Sequence, residues 1–233
     1  MKYYYDLHIH SALSPCGDAD MTPNNIVNMS LLKGLDIIAV SDHNTAGNVR
    51  AVQKAAGDNL LVIAGMEITT QEEVHMLSLF PDIERAEEMD KIIKGYLPKI
   101  ENRADIFGNQ FYMDENDEIT GEENTLLISA TALDIYETIK AVKELGGIII
   151  PAHIDRSSYS IISNLGFIPP DISFSCVEIT DKADESFRKL YENYKIITNS
   201  DAHYLFDISE KTHFIEIDNK ITKNVIESLC KFL

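Results

Sequence analysis

The sequence predicts an α/β domain built on a mainly parallel sheet or barrel. Short apolar strands alternate with amphipathic helical stretches along most of the chain. A length of 233 residues suits one domain of the larger kind, as α/β barrels are. Histidines also gather just after the strands, where the active face of such folds lies.

Residues 3 to 9 read as a first strand, followed by a helix that starts at Thr22 and Pro23 and ends near Gly34. Threonine suits the N-cap and proline the first turn, where its missing N–H costs nothing. DIIAVSDH is a second strand, residues 46 to 56 a helix, and LLVIAGMEI a third strand. VHMLSLF follows too soon for a parallel crossover, which needs roughly a dozen residues, so it pairs as an antiparallel hairpin that keeps Glu67 and His75 at one end. A charged helix starts near Asp82. Residues 103–128 hold no long periodic element, and the acidic MDENDEITGEEN lacks the glycine placement of a calcium loop, so this stretch is expected to be a surface insertion. From Ala132 the alternation resumes: helix to Leu145, strand GGIIIPAH, an irregular stretch, strand CVEIT, helix 183–193, strands KIITNSDAH and HFIEID, and a last helix.

Composition narrows the function. The apolar runs are too short to cross a bilayer and the opening residues lack the build of a secretory signal, so a soluble chain with no membrane partner is expected. Three scattered cysteines form no CxxC pair, which indicates neither a disulfide framework nor a zinc ribbon and fits a reducing cytoplasm. A net charge of -18 argues against extended nucleic-acid binding, although carboxylates that ligate cations are neutralised once the metal binds. Oligomeric state is left open.

Alternation along the first strand places Asp6, His8 and His10 on one face and Leu7 and Ile9 on the other. A lone HxH is a weak signal. Downstream, however, His43, His75, His153 and His203 also stand beside strand ends, accompanied by Glu67 and Asp201, while His213 does not share this setting. Imidazole and carboxylate donors in this number suit two cations such as Zn, Mn or Fe, or three if every candidate binds, with Glu67 as a natural bridge. Asp6 and Asp42 are better read as groups that orient imidazoles. Such cations lower the pKa of bound water to around 7 and clamp phosphoryl oxygens. The expected reaction is therefore hydrolysis of a phosphate ester by a metal-bridging hydroxide, with Arg156 available to grip phosphate in a bidentate way.

Together the motifs DLHIH, GDADMTP, SDHNT, GMEIT, EVHML, PAHIDR and NSDAH resemble the PHP family, named for its polymerase and histidinol phosphatase members. The likeness covers nearly the whole chain. It implies a single distorted (β/α)7 barrel over residues 1–233, with two or three divalent ions at the C-terminal ends of the strands. By the same resemblance, His8, His10, Glu67 and Asp201 would surround one metal, Glu67, His75 and His153 a second, and Asp18, His43 and His203 a third. The loop SALSPCGDAD departs from the family's usual spacing and leaves Asp20 as a rival to Asp18, while Cys16 reads as a small loop residue. The implied partner is a small phosphorylated substrate, a phosphomonoester or nucleotide. An amidohydrolase, or a metal-binding regulatory module without turnover, remains the alternative.

Overall fold

The computed structural model describes residues 1–230. β1 (Lys2–Ile9) leads through α1 (Pro23–Leu32) to β2 (Ile37–Val40), α2 (Val49–Ala56), β3 (Leu61–Thr69), β4 (His75–Phe80) and α3 (Ile83–Tyr96). A segment with α4 (Ala104–Phe107), β5 (Phe111–Met113) and β6 (Ile119–Glu122) precedes α5 (Ile135–Glu144), β7 (Ile148–Pro151) and α6 (Ile161–Leu165). The chain then runs through β8 (Cys176–Glu178), α7 (Glu185–Leu190), β9 (Lys195–Ile197) and β10 (Phe214–Glu216) to α8 (Thr222–Cys230).

Local chemistry explains most of the boundaries. The Thr22 side chain accepts from the Asn25 N–H and Pro23 opens α1. Asp82 caps α3. α5 starts at Ile135, later than the apolar pattern predicts, because Asp134 and Glu137 form a capping box there. β9 stops at Ile197, well short of the predicted KIITNSDAH strand, and Asp201 beyond it has φ +52°.

One sheet runs β10-β1-β2-β3-β4-β7, and a separate parallel pair is β8-β9. β1, β2 and β3 are parallel, and β3-β4 is the antiparallel hairpin, with Glu67 opposite Leu77 and Thr69 opposite His75. The sheet curls so that a parallel Ile9–Ala202 bridge sets the chain after β9 against β1, while the Ile154 N–H donates to the Glu178 carbonyl beside β7. The architecture is a curled six-strand α/β half-barrel with a short strand pair beside it, and among the described residues its ladders form no unbroken ring of seven.

Two apolar layers line the sheet. Ile38, Val40, Val62 and Met66 pack outward against helices that include α1, α2 and α3. Leu7, Ile37, Ile63, Leu77 and Ile150 fill the inside, over Val225 and Leu229 of α8. Below the site the strands are largely apolar on both faces, as a sheet covered on both sides requires.

β1 breaks the alternation expected of it. Asp6 pairs with Ile38 and Ile9 with Val40, so three steps on β1 answer two on β2. This extra residue moves His8 and His10 to the face opposite Asp6. Asp6 is buried against Ser200 and Ser209 instead, and its one link to His8 is through that residue's main-chain N–H.

Residues 103–128 are bound to the barrel more closely than a solvated excursion would be. Asn44 Nδ2 donates to the carbonyls of Leu127 and Ser129, Asn48 Nδ2 donates to that of Phe111, and the Met113 N–H donates to Asn48 Oδ1. Leu126 and Leu127 are buried. No helix among the described residues is long and apolar enough to cross a membrane.

The sheet leaves no room beside Gly65, where a Cβ would meet Ser41 Oγ at 2.4 Å and the Val40 carbonyl at 2.8 Å. Gly65→Ala is therefore expected to destabilise the fold by about 1–3 kcal/mol through overpacking. Urea denaturation of the two proteins measures it.

Candidate metal centre

The interior changes character at the C-terminal ends of the strands, where the apolar filling gives way to buried imidazoles and carboxylates. His8, His10, His43, Glu67, His75, His153, Glu178 and Asp201 are all buried there. Glu67 is the meeting point. Its Oε1 lies 3.0 Å from His75 Nδ1, 3.1 Å from His153 Nε2 and 3.3 Å from His8 Nε2; its Oε2 lies 3.0 Å from His43 Nδ1 and 3.5 Å from His10 Nε2.

Nearby, Asp201 Oδ1 approaches His10 Nε2 at 3.0 Å and His8 Nε2 at 3.4 Å, while the two Nε2 atoms face each other at 3.3 Å. Three donor groups each converge within 4.8 Å: His8, His10, Glu67 and Asp201; His43, Glu67 and His75; and His10, His43 and His203. Backbone strain accompanies this convergence, since His153 and Asp201 hold positive φ of 31° and 52°.

The outer nitrogens decide which atoms face inward. His8 Nδ1 is 3.1 Å from both oxygens of Glu178, which only accept when ionised, so Nδ1 carries a proton and Nε2 is the nitrogen turned into the cluster, where a cation would take the place of any proton on it. The Ser14 hydroxyl donates to Asp42 Oδ1 at 2.7 Å and so accepts from His10 Nδ1 at 2.9 Å, which leaves Nε2 free in the same way. Asp42 thus orients His10 through a serine. Glu178 is a site residue that the sequence reading missed; its signal was an acid at the inward position of the otherwise apolar CVEIT strand.

These residues fit divalent cations. His43 Nδ1 and Glu67 Oε2 are 3.0 Å apart, yet both are buried atoms without a hydrogen bond among the described residues. Buried polar atoms normally find partners, and lone pairs turned on a common point are the arrangement a cation satisfies. The charges agree. Burial alone would neutralise Glu67, but His75, His8 and His43 hold it well below the usual carboxylate range. Burial works against Asp201 and Glu178 too, and His8 foremost among their neighbours lowers both. Three ionised carboxylates in one buried cluster call for positive charge.

Asp18 stands outside the three donor groups. Its loop folds back on itself: the Asp18 N–H donates to the His203 carbonyl, while Oδ1 accepts from the N–H of exposed Asp20. Cys16, exposed in the same loop, is the residue there whose thiol responds to the cluster; desolvation would raise it, but the nearby imidazoles of His43 and His203 bring it down to about 6. Arg156 pairs with Asp201 Oδ2 at 2.6 Å from the rim of a groove of about 1330 Å³, which Ser157 and Ser158 also line. His213 is remote from the cluster and pairs with Asp181.

The PHP domain family model matches residues 6–228. An uncharacterized protein of Methanocaldococcus jannaschii is 28% identical over 193 residues, which span 82% of this chain and 21% of that protein. A 5'-3' exoribonuclease of Haemophilus influenzae is 31% identical over 83 residues, 34% of this chain and 29% of the enzyme. Among solved structures, the lesion-specific endonuclease EndoQ of Pyrococcus furiosus superposes with TM-score 0.76 at 20% identity, covering 99% of this chain and 56% of the endonuclease. Endonuclease Q bound to a 27-mer duplex with an abasic lesion at its active site gives TM-score 0.74 at 19% identity, over 98% of this chain and 56% of that one. A Bifidobacterium adolescentis protein classed as a metal-dependent phosphoesterase gives 0.63 at 19% identity, over 97% of this chain and 95% of its own. The chain thus spans between a fifth and a third of these two curated relatives.

The Endonuclease Q complex overturns the expectation of a small phosphorylated partner with extended nucleic acid excluded by acidity, because the same fold there holds a DNA duplex. Net charge averages over a whole surface and does not describe the field at one cation-binding rim.

His10→Ala and Asp201→Ala are each expected to lose bound metal, whereas His213→Ala keeps it, as metal analysis of the purified variants will register. Acidification should release metal from the parent protein, since ligating imidazoles must be neutral.

Proposed function

The chain belongs to the PHP family of metal-dependent phosphoesterases, and from that premise we propose that it cleaves phosphodiester bonds in nucleic acid at the rim of its barrel. The observation that carries this reading is the convergence of buried nitrogen and oxygen donors on Glu67 beside a broad groove. Nucleases among the similar proteins support the substrate class.

His8, His10, Glu67 and Asp201 would hold one ion, and Glu67, His75, His43 and His153 a second. His203, with His10 and His43, offers donors for a third. Zn, Mn and Fe all suit this set. When bound, such ions polarise phosphoryl oxygens and make water acidic near neutrality.

The remaining work falls to the chain's own residues. Glu67 and Asp201 keep donors fixed and water-poor. Arg156, half exposed and already paired with Asp201 Oδ2, is placed to share its guanidinium with an incoming phosphate. The groove is lined by Lys33, Arg156 and Lys182, but also by Asp155, Asp181 and Glu210, so it offers little net attraction to a long polyanion. The exposed rings of Tyr204 and Phe206, stacked at 5.7 Å beside His203, give an unpaired base an apolar face. A strand end or lesion, gripped at few phosphates, fits this rim better than a long duplex tract.

With Mn, Zn or Fe supplied, the protein is expected to cut single-stranded DNA or RNA oligonucleotides, or a duplex carrying an abasic site, and to stop when a chelator is added. Turnover of a dihydroorotate-type amide without phosphodiester cleavage would refute this. Binding should weaken only shallowly with salt, with a slope of about one to three phosphates rather than the six to ten of extended binders. Arg156→Ala should raise KM about tenfold and leave metal content unchanged.

A further inference from the structure

We infer that Glu178 is a positioning residue that locks His8 as a metal donor and, with Asn199, clasps the seams of the barrel beside it. The inference rests on the reading of the cluster as a metal centre.

The strand ladders leave two joints, between β7 and β8 and between β9 and β1. Side chains cross both. Glu178 Oε2 accepts from the His153 N–H at 2.8 Å, just past β7, and Glu178 Oε1 accepts from Asn199 Nδ2 at 2.7 Å, just past β9. Asn199 Oδ1 in turn accepts from the Leu7 N–H of β1 at 2.8 Å. His8 Nδ1 completes the set at 3.1 Å from each carboxylate oxygen. All of these atoms are buried in a water-poor interior.

Every partner of Glu178 in this set is a donor, which gives the carboxylate a role no amide can copy. A glutamine there must turn one N–H toward His8 Nδ1, the His153 N–H or Asn199 Nδ2, and each already presents hydrogen. Where that N–H faces His8, the ring can move its proton to Nε2, the atom that faces Glu67 and Asp201. One contact network therefore sets both the closure of the barrel and the tautomer of a ligand, as carboxylate partners of metal-binding histidines do elsewhere.

Nitrogen-15 NMR of histidine-labelled wild-type protein, metal-free and zinc-loaded, reads the tautomer directly. His8, assigned by its loss in His8→Gln, is expected with the proton on Nδ1 in both states. Chelator competition should show Glu178→Gln weakening one zinc equivalent by about 10- to 100-fold with the others retained, and Glu178→Asp recovering part of the loss. Wild-type His8 protonated on Nε2 alone, or Glu178→Gln holding every equivalent as the parent does, would overturn the inference, and the first result needs no variant of Glu178 to fold. A zinc-loaded protein that passes these tests yet cuts no nucleic acid refutes the proposed activity alone. A wild-type chain that holds no zinc overturns both.

Discussion

A buried carboxylate surrounded by imidazoles governs the rim of this protein. Glu67 lies within 3.5 Å of five histidine nitrogens contributed by four separate stretches of chain. Without those neighbours burial would protonate it; with them it stays ionised, and each ring is drawn to a defined edge of the same group. The hairpin β3-β4 serves this arrangement directly. By reversing direction rather than crossing over, the chain brings His75 back beside Glu67 within a few residues.

The supporting structure separates two tasks along the barrel axis. Below the rim, inward residues such as Leu7, Ile63, Leu77 and Ile150 supply cohesion with no polar group to satisfy. At the rim, inward residues are almost all ionisable, and two of the imidazoles are tied down at their outer nitrogens, His8 by Glu178 and His10 by Ser14 and, through it, Asp42. The inner atoms keep their lone pairs. Positive φ at His153 and Asp201 belongs to the same economy, for backbone strain at a few positions is tolerable where a dense network over-determines the conformation.

The charge of the whole chain is a poor guide to the field at its rim. Thirty-eight acids against twenty bases would repel a polyanion held along an extended surface. Part of that acidity, however, is spent inside the cluster, where Glu67, Glu178 and Asp201 are buried and set up for cations. The groove outside mixes both signs and places exposed aromatic rings next to His203. Such a rim suits recognition of a few nucleotides at a local irregularity.

The sequence by itself determined the strand-helix alternation, the hairpin and which histidines stand at strand ends, because apolar periodicity and donor residues at strand ends are local patterns. It also separated His213 from the rest. Only the tertiary structure decided how donors are shared. Asp18 closes its loop like a ligand in the sequence, yet its carboxylate accepts from the Asp20 N–H and it stands outside the donor groups. Asp6 reads as a companion of His8 until a one-residue bulge sends it to the opposite face. Glu178 reads as an ordinary strand residue until strands distant in sequence bring His8, His153 and Asn199 to its two oxygens. Register and loop closure depend on contacts between segments far apart in the chain, and no local pattern encodes them.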